Sequence, residues 1–247
     1  MGDLIVEVAS GRIRLTLNRP SRGNALSEDL VERLLEALDS DEVASASVVE
    51  LRGAGPHFCT GFDLGGLDEQ DEGRIALRFV RIEILLQRVA HLSVETVGLA
   101  QGRAFGAGAD LFCACQHRVA APDATFRFPG LTFGVVLGTR RLASRVGGGP
   151  ARDILLRRRE VSAPAAQQIG LATLLAPQTN WDAAIQEIEA SLAAVGIENW
   201  RAIARSLAVE TRAADMADLV ASVERAGFKE RIVAYRDALR AAAASSR

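Results

Sequence analysis

The chain has 247 residues, 49% of them apolar and 24% charged, with a formal net charge of −2. That length suits one large domain or a domain with an appendage, and the mildly acidic balance excludes a general polyanion-binding surface. Three cysteines form neither a disulfide framework nor a metal-ligand spacing with the three histidines. No apolar run approaches a membrane span, and Met1 to Glu7 lack a signal-peptide pattern. A cytoplasmic location with no nucleic-acid or membrane partner is expected.

Residues 4–8 and 13–17 alternate in character around Ser10-Gly11, which predicts a hairpin. Ser27 offers an N-cap before Glu28-Asp29, and the helix runs to about Leu38. Val48 to Leu51 predicts a strand that ends in the Gly53/Gly55 turn. A helix follows with Ile75, Phe79, Ile82, Leu86 and Val89 as its apolar stripe, closed by His91. Thr96 to Leu99 is a strand, Gly106 opens the next helix, and 118–120 and 125–126 are short strands, with His117 beginning the first. Gly147-Gly148-Gly149-Pro150 reads as a loop before a helix, with Pro150 suited to the first helical position. No Lys-Ser/Thr follows it, so it is not a Walker loop, and Arg157-Arg158-Arg159 is assigned to solvent. From Trp181 the sequence turns Ala-rich and charged, predicting helices at about 181–195, 199–222 and 225–243, with a frayed tail over 241–247. The division expected is a core over 1–180 and a helical region over 181–247. The apolar stripes of those helices must be buried somewhere, so self-association is expected. Cys59, Cys113 and Cys115 are expected to pack as small apolar residues.

The chemistry concentrates in two blocks. Gln101 to Leu111 places small residues where a strand gives way to a helix, then sets Asp110 in the first helical turn. N–H groups at a helix start have no intrahelical partner and carry partial positive charge, so small residues let a ligand oxygen approach them. A carboxyl a few residues on can handle protons beside the stabilised oxygen. The blander alternative is that Gly106 and Gly108 permit packing and that Asp110 answers only the helix dipole. The second block is Arg52-Gly53-Ala54-Gly55-Pro56-His57-Phe58-Cys59-Thr60-Gly61-Phe62-Asp63-Leu64.

Together these blocks resemble the crotonase superfamily, the enoyl-CoA hydratase/isomerase-like proteins, whose pattern is G-x-G-x-x-F-C/S-A-G-x-D-L followed by N-G-x-A-x-G-G-G. Gln101 stands for the usual Asn and Ala107 for the middle Gly. Asn18-Arg19-Pro20, Asn24-Ala25-Leu26, Thr139-Arg140-Arg141-Leu142 and the block from Ser162-Ala163 to Gly170-Leu171-Ala172 add to the match, with a weaker echo at Gly227-Phe228-Lys229-Glu230-Arg231. The resemblance implies an α/β fold, a spiral of ββα units with a C-terminal helical oligomerisation region, assembled as a homotrimer or homohexamer. It also implies an acyl-CoA substrate and no separate cofactor or metal, coenzyme A being part of the substrate. Its catalytic set here is Asp110 as acid/base with the N–H groups of Phe62 and Ala107 as oxyanion donors. Its substrate-binding set is Arg19, Arg22, Ala25, Gly61, Asp63, Leu64, Gly106, Gly130, Phe228 and Arg231.

One position departs from that pattern. The second carboxylate of a typical hydratase follows F-x-x-P, here Phe126-Arg127-Phe128-Pro129, and the next residue is Gly130. The loop from Gly134 to Thr139 is also shorter than the family's, and no acid lies between Asp123 and Asp153. Asp63 is read as ordering its own loop, His57 as a loop histidine, and Glu83 as a surface charge rather than a replacement acid. The leading function is hydratase/isomerase chemistry on an acyl-CoA thioester through an enolate. The alternatives are a noncatalytic acyl-CoA-binding protein, or a thioester hydrolase or decarboxylase.

Overall fold

The computed structural model describes residues 2–9 and 11–245; Ser10, expected in the first hairpin turn, and the last two residues of the tail lie outside them. Strand β1 (Leu4–Ala9) pairs antiparallel with β2 (Arg12–Leu17), Leu4 facing Leu17. From β2 the sheet continues in parallel through β3 (Val48–Gly53), β4 (Glu95–Ala100), β6 (His117–Ala120) and β9 (Leu174–Leu175). A second sheet joins β5 (Arg103–Phe105) to β7 (Thr125–Arg127) in parallel and β7 to β8 (Val161–Ser162) in antiparallel.

Parallel neighbours need crossovers, and helices supply them. Helices α1 (Glu28–Leu38) and α2 (Asp41–Ser45) bridge β2 to β3, α3 (Glu72–Ala90) bridges β3 to β4, and α4 (Ala107–Ala114) lies between β5 and β6. The Ser27 hydroxyl accepts the Leu30 N–H at 3.2 Å, and the Asp71 carboxylate accepts the Arg74 N–H at 2.7 Å, fixing where α1 and α3 begin. With helices on both faces, β4 is buried along its whole length. The three cysteines are buried and free, and burial pushes each thiol up to about 12.

After β7 the chain forms α5 (Thr139–Val146), α6 (Gly148–Arg157) and α7 (Ala163–Gln168), then α8 (Trp181–Val195), α9 (Ile197–Leu207), α10 (Arg212–Val223) and α11 (Phe228–Ser245). Two expectations are corrected here. The glycine run is a joint at Gly147, and α6 already begins at Gly148, with Pro150 its third residue. The single helix expected over 199–222 is α9 and α10, parted at 208–211. The Thr211 hydroxyl donates to Asp215 Oδ2 at 2.7 Å and Thr211 C=O accepts the Asp215 N–H at 2.8 Å, so a new helix starts there with Asp215 turned inward. Helix α8 covers the large sheet through Trp181 and Ile185. Leu219 and Val223 of α10, with Phe228 and Ile232 of α11, pack instead on Ile75 and Phe79 of α3. Among the described residues no helix is long and apolar enough to cross a membrane.

Candidate active site

Two buried amides hold the loop that follows β3. Asn24 donates to the C=O groups of Ala54 (2.9 Å) and His57 (2.7 Å), and Gln101 donates to those of Gly53 (2.7 Å) and Gly55 (3.0 Å). The chain beyond then runs beside β5: the Phe58 N–H reaches Gln101 C=O at 2.9 Å and the Phe105 N–H reaches Cys59 C=O at 2.9 Å. Gly61 has φ 93°, and a Cβ there would lie 2.6 Å from Phe105 O and 3.1 Å from Ala107 N. Only glycine permits that approach, which brings Phe62 beside Ala107. Leu26 bonds Gly61 and Asp63 on either side of Phe62, so the Phe62 N–H faces away from Leu26. Among the described residues no backbone carbonyl accepts from Phe62 or Ala107. Two adjacent donors, one at the start of α4, are therefore free for a ligand oxygen. Gly108 serves packing: a Cβ there would lie 2.2 Å from Cys59 O.

Both donors border a cavity of about 910 Å³ that reaches Asp110 at its inner wall. Asp110 is 5% exposed, and its N–H bonds Gly106 C=O at 3.0 Å. Burial pushes its carboxyl well above the usual carboxylate range; Arg141 opposes the rise and Glu83 adds to it. Gly138, in the left-handed region at φ 63°, lies so close that its Cβ would be 2.3 Å from Asp110 Oδ1. Behind Asp110 sits a polar cluster. Arg141 of α5 binds Glu83 of α3 through both nitrogens, with Nη1 to Oε2 at 3.1 Å, and approaches Asp215 of α10 at 3.4 Å. Gln87 donates to Glu83 at 2.8 Å, and Arg140 binds Asp215 at 3.1 Å. Glu83 is thus not the surface charge expected from sequence: α3 turns it into the core, where it is 1% exposed and paired.

Gly130 lies in a 3-10 turn, Pro129–Thr132, and its C=O accepts the N–H groups of Phe133 (3.2 Å) and Val135 (3.0 Å). That fold-back puts Val135 O 3.0 Å from where a Gly130 Cβ would be. Apolar residues form the adjoining wall: Phe62 stacks on Phe79 at 4.2 Å, Arg78 covers the other face of Phe62 at 4.1 Å, and Phe133 packs on Tyr235 of α11 at 4.9 Å. Two further carboxylates line the cavity, Asp63, which is engaged, and Glu160, which lies exposed. Asp63 Oδ1 accepts the Gly65 N–H at 2.9 Å and its Oδ2 lies 2.8 Å from Arg19. Burial alone would raise Asp63, but these two partners hold it below the usual carboxylate range. Glu160 sits exposed, 4.0 Å from Arg127.

Residues 7–231 match the Enoyl-CoA hydratase/isomerase family. The chain belongs to that family. A crystal structure of a Bordetella parapertussis protein assigned as an enoyl-CoA hydratase/isomerase superposes with a TM-score of 0.91 at 41% identity, covering 94% of this chain and 98% of that one. The echA6 protein of Mycobacterium tuberculosis, assigned as an enoyl-CoA hydratase, is 36% identical over 195 residues, 77% of each chain. The peroxisomal Delta(3,5)-Delta(2,4)-dienoyl-CoA isomerase of Arabidopsis thaliana is 34% identical over 181 residues, 66% of this chain and 65% of its own. The protein is accordingly an enzyme of the hydratase/isomerase type, with a crotonase fold.

Against that family frame the expected site residues divide. Arg22, Ala25, Asp63, Leu64, Gly106 and Gly130 line the same cavity as Phe62, Ala107 and Asp110, and Gly61 braces the wall from behind. Arg19 does not line it: its guanidinium binds Asp3 at 3.0 Å, Asp63, and Ala25 C=O. Phe228 is buried edge-on against Phe79 at 5.8 Å, and Arg231 is turned to Phe133 C=O at 3.1 Å and Ala226 C=O. Both support the wall rather than face the cavity. Other residues of α11, overlooked in the sequence, do face it: Tyr235, Leu239 and Ala243 recur every four residues, and Arg236 and Arg240 run beside them. At the mouth, Arg103 and Arg127 flank Phe105 at 6.0 and 5.6 Å.

Proposed function

We propose that this enzyme moves a carbon–carbon double bond within an enoyl-CoA thioester, with Asp110 as the only proton carrier. The observation that carries the proposal is that Asp110, a buried carboxyl that forms no salt bridge among the described residues, stands at the inner wall beside the Phe62 and Ala107 donors, while Asp63 is engaged and Glu160 lies exposed. The thioester oxygen accepts from those two N–H groups. Ionised Asp110 removes a proton from C2 of a 3-enoyl chain, and the charge moves onto the held oxygen as a dienolate. Protonated Asp110 then returns the proton at C4, leaving the 2-enoyl product and the carboxylate it began with. Hydration needs a second base to direct water at C3, and Gly130 offers none. The arginines Arg22, Arg103, Arg127 and Arg240 around the cavity suit the phosphates of coenzyme A. In this reading coenzyme A arrives as part of the substrate, no metal or further cofactor takes part, and the protein works in the cytoplasm as a trimer or hexamer.

The test is mass spectrometry of 3-enoyl-CoA and 2-enoyl-CoA after incubation with the enzyme in deuterated water. Interconversion with deuterium uptake and no water adduct is expected, and Asp110→Asn should abolish it. A water adduct as the main product, or undiminished turnover by Asp110→Asn, would overturn the proposal. Free coenzyme A would point to hydrolysis, and an unchanged panel to the binding-protein alternative.

A further inference from the structure

The buried cluster behind Asp110 has no place in the proton transfer just described. It also differs from the other ion pairs among the described residues, each of which leaves at least one partner partly exposed. Arg141 comes from α5, Glu83 from α3 and Asp215 from α10, and all three are buried. Burying a guanidinium with two carboxylates brings a large desolvation cost, and stability alone is a weak reason to retain such a cluster. Its location gives a better one. Helix α5 begins beside Asp110, because Gly138 touches the carboxyl and Arg141 follows three residues later on the same helix. Helix α3 packs against α4, the helix that carries Asp110, and brings Glu83 to Arg141.

We propose that the Arg141–Glu83 pair is a positioning device for the reaction, setting by its charges how readily Asp110 ionises. This rests on the reading of Asp110 as the proton carrier. The charged groups acting on Asp110 are Arg141 from α5 and Glu83 from α3; the thiol of Cys113 on its own helix is buried and stays neutral. Arg141 attracts the carboxylate form, and Glu83 both repels it and draws Arg141 into a two-pronged pair. A general base works best when its pKa lies near the working pH. Burial raises the carboxyl, Arg141 opposes that rise, and Glu83 limits the opposition. Asp215 and Gln87 hold the two partners in place, so the C-terminal helices reach the chemistry through α10.

The experiment measures the pH dependence of kcat/KM for double-bond migration in Glu83→Gln, Arg141→Met and Arg141→Lys. In parallel, infrared difference spectra titrate the carboxyl C=O band that disappears in Asp110→Asn, a readout that needs no turnover. Activity rises with pH as Asp110 ionises. Glu83→Gln, nearly isosteric, should move that rise and the band to lower pH by about one pH unit, the scale expected for one nearby charge in a protein interior. Arg141→Met should move both to higher pH by a similar amount, and Arg141→Lys, which keeps the charge, should return them close to wild type. Shifts in opposite directions exclude a merely structural role, since loosened packing lowers activity without moving the limb by sign of charge. Unmoved limbs and bands, or shifts in the same direction, would overturn the inference. A band that shifts as expected in a protein with no isomerase activity supports the pair's role and sinks the isomerase reading alone.

Discussion

Folding takes the Asp110 carboxyl out of water and so favours its protonated form, and that has a consequence for stability. The ordinary carboxylate value is 3.8, and burial raises the folded-state value well above it. The folded protein therefore binds this proton more tightly than the unfolded chain does. The stabilisation is complete below the unfolded value and is lost as pH rises toward the folded one. Asn in place of Asp keeps a neutral group of the same shape and ends the loss. Thermal unfolding of Asp110→Asn and wild type should thus coincide near pH 4 and separate as pH rises, with the Asn variant melting higher at pH 8. Equal melting temperatures throughout that range would mean that the carboxyl ionises in the folded protein as it does in water.

Helix starts decide the site, and they differ in how openly the sequence announces them. The start of α5 is set by Gly138, where a methyl group would meet both Asp110 Oδ1 at 2.3 Å and a left-handed backbone at φ 63°. Gly138→Ala should displace the carboxyl by roughly 1 Å and lower kcat on the order of 100-fold. KM should change only a few-fold, since the donors and the cavity mouth stay in place; steady-state kinetics with a 3-enoyl-CoA checks both. The start of α4 was legible, because Gly106, the small residues after it and Asp110 lie together in one block. So were the loop ending in Phe62 and the helix over 72–90, whose apolar stripe repeats at helical spacing. Helix α5 was not, and α6 was expected to begin only at Pro150: a glycine run between them reads as loop, and only the packed fold shows that a turn at Gly147 suffices. Glu83 misled for a related reason. A lone charge on an amphipathic stripe looks solvated until a helix 58 residues away supplies its arginine. Arg19, Phe228 and Arg231 sit in blocks that match the family, yet here each is turned to protein partners. A motif fixes the place of a backbone more firmly than the direction of a long side chain.

On the scale of the whole molecule, the C-terminal helices divide between two tasks. Helices α10 and α11 close the cavity and brace Phe79 and Phe133. Helix α9 does something else, because it buries none of its own residues. Ile203 is 45% exposed and Leu207, one helical turn later, 69%, with Val209 beyond them also in the open. An amphipathic helix gains most of its stability by covering its apolar face, and this face has no cover within the chain. Covering it with a second, different surface of an identical chain, repeated head to tail around a closed ring, would satisfy every copy. On the proposed trimer or hexamer, light scattering on a sizing column should give three or six times the chain mass of 26.3 kDa. Leu207→Asp would place a charge in the covered face and should shift the protein toward the monomer, with loss of α9 helicity but with the fold of the sheets retained. A wild-type protein that elutes at the single-chain mass would leave α9 to fold on the surface without a partner and would end this account of the C-terminal region.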